Sequence, residues 1–189
     1  MEDVTPRLPG GDDSDDHARY IEAVVPGKKG VVRVASVYAP NGNPIGTEKF
    51  TYKLSWLDRF DIHAKELLDE EEPVALMGDY NVIPMAYDCW DPKAWEKDAL
   101  YQPESRAALR RIEYLGYTDA IKACHAEKGL YTFWDYQEGA WRKNHGIRID
   151  HILLSPQAAD HLKASGIDKE VRAGERPSDH VPVWCELDI

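Results

Sequence analysis

A short run of four apolar residues, Val74 to Met77, constrains the fold more than any other part of this sequence. Pro73 precedes the run and polar residues follow it, so it suits a strand whose two faces are both buried. A strand of that kind lies inside a sheet, with other strands beside it and further layers over it. The sequence therefore predicts a layered arrangement of the α/β or α+β class.

Other strands and helices are predicted on both sides of this run. Tyr20 to Val25 and Val31 to Tyr38 are rich in β-branched and apolar residues, and Gly27 to Gly30 between them predicts an antiparallel hairpin. Apolar residues at helical spacing predict a long helix from Thr47, its N-cap, to Asp69. The same criteria predict helices over Pro103 to Leu115, over Asp119 to Glu127 and from Ser155, and strands over Tyr131 to Tyr136, Arg148 to Leu154 and Val181 to Leu187.

The bulk composition suits one soluble globular domain. The chain has 189 residues, of which 43% are hydrophobic and 30% are charged. It shows no membrane-spanning run, no secretory signal and no paired cysteine spacing, so we expect a cytoplasmic protein with reduced thiols and no membrane partner. Residues 1–17 hold several prolines and glycines and an acidic run at Asp12, Asp13, Asp15 and Asp16, which predicts a flexible tail.

The net charge of −11 argues against a protein that coats nucleic acid through a general basic surface. It does not exclude an enzyme that meets phosphate at one site through hard metal ions, because carboxylates are the ligands of such ions. The clear local basic cluster comprises Arg142, Lys143, Asn144, His145 and Arg148. This cluster either grips backbone phosphates or is a solvated loop.

Polar residues crowd the ends of three predicted strands. They are Gly78-Asp79-Tyr80-Asn81, Arg148-Ile149-Asp150-His151 and Ser178-Asp179-His180. Each group alone has an ordinary explanation, since an aspartate often caps a turn and a lone histidine is more often structural than catalytic. Together, carboxylates, an amide and an imidazole at three strand ends fit a site for phosphate and a divalent metal.

Five motifs occur in one order along the chain and together resemble a known family. They are Tyr38-Ala39-Pro40-Asn41-Gly42, Gly78-Asp79-Tyr80-Asn81, Tyr131-Thr132-Phe133-Trp134, Arg148-Ile149-Asp150 and Ser178-Asp179-His180. The chain resembles the exodeoxyribonuclease III and abasic-site endonuclease branch of the endonuclease/exonuclease/phosphatase superfamily. The second and fifth motifs alone would indicate only the superfamily, whereas the aromatic segment followed by Arg148-Ile149-Asp150 is more specific to the DNA-repair branch.

The resemblance implies a four-layer α/β sandwich of two mixed β-sheets flanked by helices. It implies hydrolysis of DNA phosphodiesters on the 5′ side of an abasic site, together with 3′-to-5′ exonuclease or 3′-phosphatase activity. The expected partner is double-stranded DNA with abasic sites or damaged 3′ ends. The expected cofactor is Mg²⁺, with Mn²⁺ as a substitute.

The resemblance also assigns roles to individual residues. Asp79 would align or deprotonate the attacking water, and Asn81 would contact the scissile phosphate or the nucleophile. His180 would stabilise developing charge, with Asp150 holding its imidazole in the right tautomer. Asp179 would ligate the metal together with Asp79 and Asn81. Tyr38 and Asn41 would contact phosphate, and Asn144 and Arg148 would contact the DNA backbone. Phe133 and Trp134 would line the pocket for the extrahelical sugar. For Trp134, plain core packing is an equally good interpretation.

The sequence departs from the family at its start. The family begins with a strand that carries an asparagine, followed by a strand that ends in a metal-ligating glutamate, and neither is found here. We therefore expect residues 1–189 to form one N-terminally truncated domain whose exposed strand edges favour self-association. One alternative is a non-catalytic or split-enzyme fragment that binds nucleic acid or a partner. Another is a phosphoesterase of the same superfamily that acts on phospholipids or inositol phosphates.

Overall fold

The apolar run that starts at Val74 lies inside the larger of two sheets. The structure is a computed structural model that describes residues 2–12 and 15–189. Its strands are β1 (Glu2–Thr5), β2 (Tyr20–Pro26), β3 (Val31–Tyr38), β4 (Val74–Asp79), β5 (Thr118–Asp119), β6 (Asp150–Leu154), β7 (Leu162–Ile167) and β8 (Val183–Leu187). The larger sheet has the order β1-β2-β3-β4-β6-β5, and β7 pairs with β8 in the smaller one. The larger sheet is mixed because β3 and β4 run parallel while its other pairs are antiparallel.

The helices lie around these sheets, and two of them are long. They are α1 (Glu48–Asp69), α2 (Pro92–Trp95), α3 (Pro103–Tyr114), α4 (Ala120–Cys124), α5 (Ala140–Lys143) and α6 (Pro156–Ala159), with 3₁₀ turns at Ala86–Asp88 and Lys169–Ala173. Proline occupies the first turn of α2, α3 and α6, where its missing N–H costs nothing. Of the helices in the described part of the chain, none is long and apolar enough to cross a membrane.

Strand β4 has a separate core on each face, as its sequence predicts. Leu76 belongs to the cluster that α1 and α3 form with Trp56, Phe60 and Leu109. Ala75, whose side chain points the other way, belongs to a second cluster that includes residues of β6 and β8. The mixed α/β fold expected from the sequence is therefore confirmed, with the smaller sheet packed on the face of β4 that is opposite to α1.

Tyr80 anchors the chain immediately after β4. Its ring is fully buried and contacts Phe60 and His151 edge-on, with ring centroids 5.8 Å and 5.4 Å away. Its hydroxyl donates to the carbonyl oxygen of Leu76 at 2.9 Å. The polar residues on either side of Tyr80, Asp79 and Asn81, are thereby fixed in position at the end of β4.

Several local predictions differ from the structure. Glu2–Thr5 forms an edge strand where a flexible tail was expected, because it pairs with β2 and because Asp3 accepts a hydrogen bond from Arg33 at 2.7 Å. Met1 and Asp13, which belong to the same expected tail, lie outside the described residues. Strand β7 was not predicted, and Tyr131–Tyr136 is irregular, with isolated bridges at Phe133. Each of these differences involves pairing with a segment that is distant in the sequence, which local patterns do not reveal.

Arg148 lies in the core, so its prediction as a DNA-backbone contact is wrong. It is 1% exposed and donates to Asp88 Oδ1 at 2.9 Å and to Asp119 Oδ2 at 2.7 Å. Burial alone would raise the pKa of Asp119, but the charge and hydrogen bond of Arg148, together with the charges of His151 and Lys122, outweigh burial and lower this pKa to about 2. Burial and the same charge lower the pKa of His151 to about 3. Arg148 is the hub of a buried ion network beneath the strand end that carries Asp150.

Replacing Arg148 with methionine should destabilise the fold strongly. We expect Arg148→Met to lower the free energy of unfolding by about 3–5 kcal/mol, because two buried carboxylates lose their countercharge. The matched control is Arg111→Met, whose side chain is 49% exposed and pairs with Asp58, and it should cost less than about 1 kcal/mol. Urea unfolding followed by circular dichroism measures both values. Equal losses in the two variants would contradict the role given to Arg148.

Candidate active site

Three predicted site residues lie side by side at the ends of adjacent strands. Tyr38 on β3 is in register with Asp79 on β4, and Asp79 is in register with Asp150 on β6. Tyr38 is 53% exposed, with the guanidinium of Arg19 over its ring at 5.1 Å. The sheet therefore brings together groups that are up to 112 residues apart in the chain.

Asn81 links the carboxylate of Asp79 to the neighbouring loop. Its backbone N–H donates to Asp79 Oδ1 at 2.8 Å, and its side-chain amide donates to Asp79 Oδ2 and to the carbonyl of Ala39, both at 2.9 Å. Its own Oδ1 accepts from the Asn41 amide at 3.3 Å. Asn81 adopts a φ of 50°, a left-handed conformation that asparagine tolerates better than most residues. Asp79, Asn81 and Asn41 thus form one hydrogen-bonded chain.

His180 and Asp150 form a second pair beside Asp79. His180 Nδ1 lies 3.1 Å and 3.0 Å from the two Asp150 oxygens. This contact makes Nδ1 the donor, which leaves Nε2 to face a substrate. The Thr132 hydroxyl oxygen accepts from the backbone N–H of Asp150 at 3.2 Å, and the Phe133 ring meets the His180 ring edge-on with centroids 5.0 Å apart. Both members of the pair are therefore held in place.

The pKa values of Asp79 and His180 are both raised at this site. Burial and the charge of Asp150 raise the pKa of Asp79 to about 7, against the opposing charge of His180. Burial alone would lower the pKa of His180, but the hydrogen bond and charge of Asp150 outweigh it and raise this pKa to about 8. Near neutral pH the site therefore holds an imidazolium next to a partly protonated carboxyl group.

Lys53 is a site residue that the sequence reasoning missed. It is 0% exposed, and its ammonium donates to the carbonyl oxygen of Asn41 at 3.0 Å and also to the carbonyl oxygen of Asn81. Burial lowers the pKa of Lys53 to about 7, although the charge of Asp79 opposes this. A Cβ atom on Gly42, where φ is +87°, would lie 2.6 Å from the Lys53 side chain, so only glycine fits there. Helical spacing in the sequence could have revealed that Lys53 is buried, because it shares the buried face of α1 with Trp56, Leu57 and Phe60.

The other predicted site residues have mixed outcomes. Phe133 is half-buried beside His180, and Asn144 is exposed, with its Oδ1 accepting from Lys169 at 3.0 Å. Trp134 is fully buried and meets the Trp141 ring edge-on with centroids 5.1 Å apart. Core packing is therefore the correct interpretation of Trp134, and its prediction as a pocket wall is wrong.

The donor atoms at this site fit Mg²⁺ in type. Mg²⁺ takes oxygen ligands and is usually held by one or two carboxylates, with water and substrate phosphate completing its shell. Asp79 and Asn81 offer a carboxylate and an amide oxygen, and burial together with the charge of Asp150 raises the pKa of Asp79, so a cation there would be favoured. Within residues 2–12 and 15–189, no three His, Cys, Asp or Glu side chains converge as a metal-binding group. Metal ligation by Asp179 therefore stays a prediction.

Comparison with known proteins identifies the family. The sequence pattern of the endonuclease/exonuclease/phosphatase family matches residues 3–180. The chain belongs to this family. Among curated relatives, exodeoxyribonuclease III of Haemophilus influenzae is 30% identical over 184 residues, covering 93% of this chain and 69% of the relative. An exodeoxyribonuclease of Bacillus subtilis is 32% identical and covers 84% of this chain but 61% of the relative. The chain thus spans about two thirds of the length of these family members.

Solved structures of the family have the same fold. The 3′ phosphatase NExo from Neisseria, solved bound to a product DNA hairpin, is 37% identical with a TM-score of 0.92, covering 99% of this chain and 71% of that one. An AP endonuclease from Archaeoglobus fulgidus is 32% identical with a TM-score of 0.90, covering 100% of this chain and 71% of that one. Both similarities extend over essentially the whole of this family member.

Removing the Lys53 ammonium should loosen the two loops that it joins. Lys53→Met leaves the buried carbonyl group of Asn81 without its donor, at a cost of about 1–3 kcal/mol, and removes a partly buried hydrogen bond to the carbonyl group of Asn41. We expect faster backbone hydrogen exchange in residues 39–43 and 80–83, measured by mass spectrometry. Lys65→Met is the matched control, since Lys65 lies exposed on the same helix and pairs with Asp69. Unchanged exchange in both loops of Lys53→Met would refute the proposed link.

Proposed function

We propose that this chain is a DNA-repair phosphodiesterase of exodeoxyribonuclease III type, which hydrolyses phosphodiesters at abasic sites and 3′ ends. The observation that carries this proposal is the hydrogen-bonded His180–Asp150 pair beside Asp79 and Asn81 at one sheet end. The printed names of the relatives support it, since they are exodeoxyribonucleases and DNA endonucleases.

The proposed roles follow from the chemistry of each group. Asp79 takes a proton from the attacking water, since its carboxylate can act as a general base. Asn81 orients the phosphate or the water through its amide. His180 donates from Nε2 to the oxygen that gains charge, while Asp150 holds the ring in the required orientation.

The proposal includes a divalent metal and a DNA interface. Asp79, Asn81 and Asp179 would hold Mg²⁺, or Mn²⁺ in its place, and the ion would supply neutralisation of charge on the phosphate oxygens. Tyr38 and Asn41 would contact phosphate, and Phe133 would border the extrahelical sugar. The substrate would be double-stranded DNA that carries an abasic site or a damaged 3′ end, in a cytoplasmic setting.

A second candidate function is a fragment that binds DNA or a partner without turnover. The open cleft between the two sheets favours it. In this case the open cleft between the sheets, lined by Val34, Met77 and Val183, would accept a complementary segment or a second copy. A role on phospholipids or inositol phosphates has no counterpart in the names of these relatives.

Cleavage of defined DNA tests the proposal. We expect the chain to nick a duplex with one abasic site and to remove a 3′-phosphate in Mg²⁺ but not in EDTA. Asp79→Asn and His180→Gln should each lower the rate by roughly 10²- to 10⁴-fold, because each removes a group that handles a proton or charge. Asp58→Asn, at an exposed position on α1, is the matched control and should not change the rate.

Two results would contradict the proposed function. If the folded native chain cleaves neither substrate in Mg²⁺ or Mn²⁺, the non-catalytic candidate becomes the correct one. If Asp79→Asn and His180→Gln cleave as fast as the native chain, hydrolysis occurs elsewhere and the assigned site is wrong.

A further inference from the structure

Trp90 and His145 form a parallel ring stack at the protein surface. Their ring centroids are 3.7 Å apart and their planes differ by 4°. The other ring pairs within the described part of the chain are tilted or edge-on, as is usual in a packed core. Trp90 remains 39% exposed, so a large aromatic surface stays open to solvent although the ring is held flat.

The stack is fixed to the same part of the fold as the candidate active site. Trp90 donates its backbone N–H to the carbonyl of Gly146 at 3.1 Å. Single backbone bridges join Cys89 to Ile147, Ile147 to Phe133, and Phe133 to His180. With strand neighbours about 4.8 Å apart, these three steps place Cys89, the residue before Trp90, no more than ~15 Å from the backbone of His180.

The loop that carries His145 cannot shift freely. Gly146 packs so closely that a Cβ atom there would lie 2.6 Å from Trp134 Nε1 and from Tyr131. Trp134 is itself fully buried, so the backbone next to His145 rests on the core. The ring stack is thus a rigid feature rather than a contact between two mobile side chains.

Two exposed cationic residues lie close to His145 in the sequence. Arg142 and Lys143 end helix α5, two or three residues before His145, and both are exposed. Across the described ranges, neither of them takes part in an ion pair. In a chain with a net charge of −11, a rigid aromatic stack next to two unpaired cations matches the chemistry of a nucleic-acid strand, which offers base faces and phosphates side by side.

We propose that Trp90 and His145 form a platform on which an unpaired nucleobase of the DNA substrate stacks, while Arg142 and Lys143 contact the adjacent phosphates. The base must be unpaired because neighbouring base pairs cover the faces of a base inside a duplex. At about 3.4 Å per nucleotide, the platform lies roughly four steps from the scissile phosphate. This inference rests on the proposed function and adds to it a binding preference for duplexes with an overhang, gap or frayed end near the site of cleavage.

Binding to matched DNA duplexes tests the platform without requiring turnover. Fluorescence anisotropy in EDTA would compare a blunt duplex with the same duplex carrying a six-nucleotide single-stranded overhang on either end. We expect tighter binding of the native chain to one of the overhangs, and we expect Trp90→Leu to lose that preference by about tenfold. Trp90→Phe should retain most of it, since the smaller ring still stacks.

The control is Trp184→Leu, because Trp184 is 40% exposed but lies on β8. It should bind both duplexes as the native chain does. A double variant, Arg142→Gln with Lys143→Gln, should weaken binding to both duplexes, since phosphate contacts do not depend on an unpaired base.

A second measurement keeps the test decisive if Trp90→Leu fails to fold. The fluorescent base 2-aminopurine, placed in turn at each overhang position, should be quenched by the native chain at one or two adjacent positions. The platform is overturned if no position shows quenching, or if folded Trp90→Leu binds the overhang duplex as tightly as the native chain does. In either case, cleavage at an abasic site would leave the proposed function intact. If the native chain binds no DNA and cleaves none, the platform and the proposed function are both wrong.

Discussion

The burial of β4 on both faces is the constraint on which the rest of the structure depends. The strand alternates between two cores, with Leu76 in one and Ala75 in the other, so a shift by a single residue would exchange every side chain between them. The same register sets Asp79 opposite Asp150 and beside Tyr38. The hydrophobic pattern that specifies the core therefore also specifies the geometry of the candidate active site, and neither can change without the other.

Electrostatics at the end of this strand is balanced by only a few groups. Asp79 and Asp150 lie next to each other, and their nearest cations are His180 and the buried Lys53. The pKa of Asp79 rises because these cations do not offset both burial and the second carboxylate. A divalent ion or a bound phosphate with its counterions would change this balance directly. Neutral packing contacts thus keep Asp79 close to these charged groups, and the buried ring of Tyr80 is the clearest such contact.

The sequence predicted local patterns well and long-range partners poorly. Strands β2, β3 and β4 and helix α1 follow from periodicity, and Asp79, Asn81, Asp150 and His180 follow from motifs at strand ends, where the structure brings them together. Arg148 was misassigned because a charge is usually exposed, and its two buried carboxylate partners lie 29 and 60 residues away. Edge strand β1 was missed for the same reason, since its pairing depends on β2.

The stacked pair of Trp90 and His145 is another contact between residues distant in the sequence that the sequence alone does not reveal. The two residues are 55 positions apart, and each alone resembles an ordinary surface residue. The reason for proposing that they bind a base lies in the overall charge of the chain. Phosphate contacts weaken steeply as salt rises, and an acidic protein gains little from a general attractive field. Stacking carries no such salt dependence. A protein with a net charge of −11 that binds DNA therefore has reason to place rigid aromatic surface next to exposed cations.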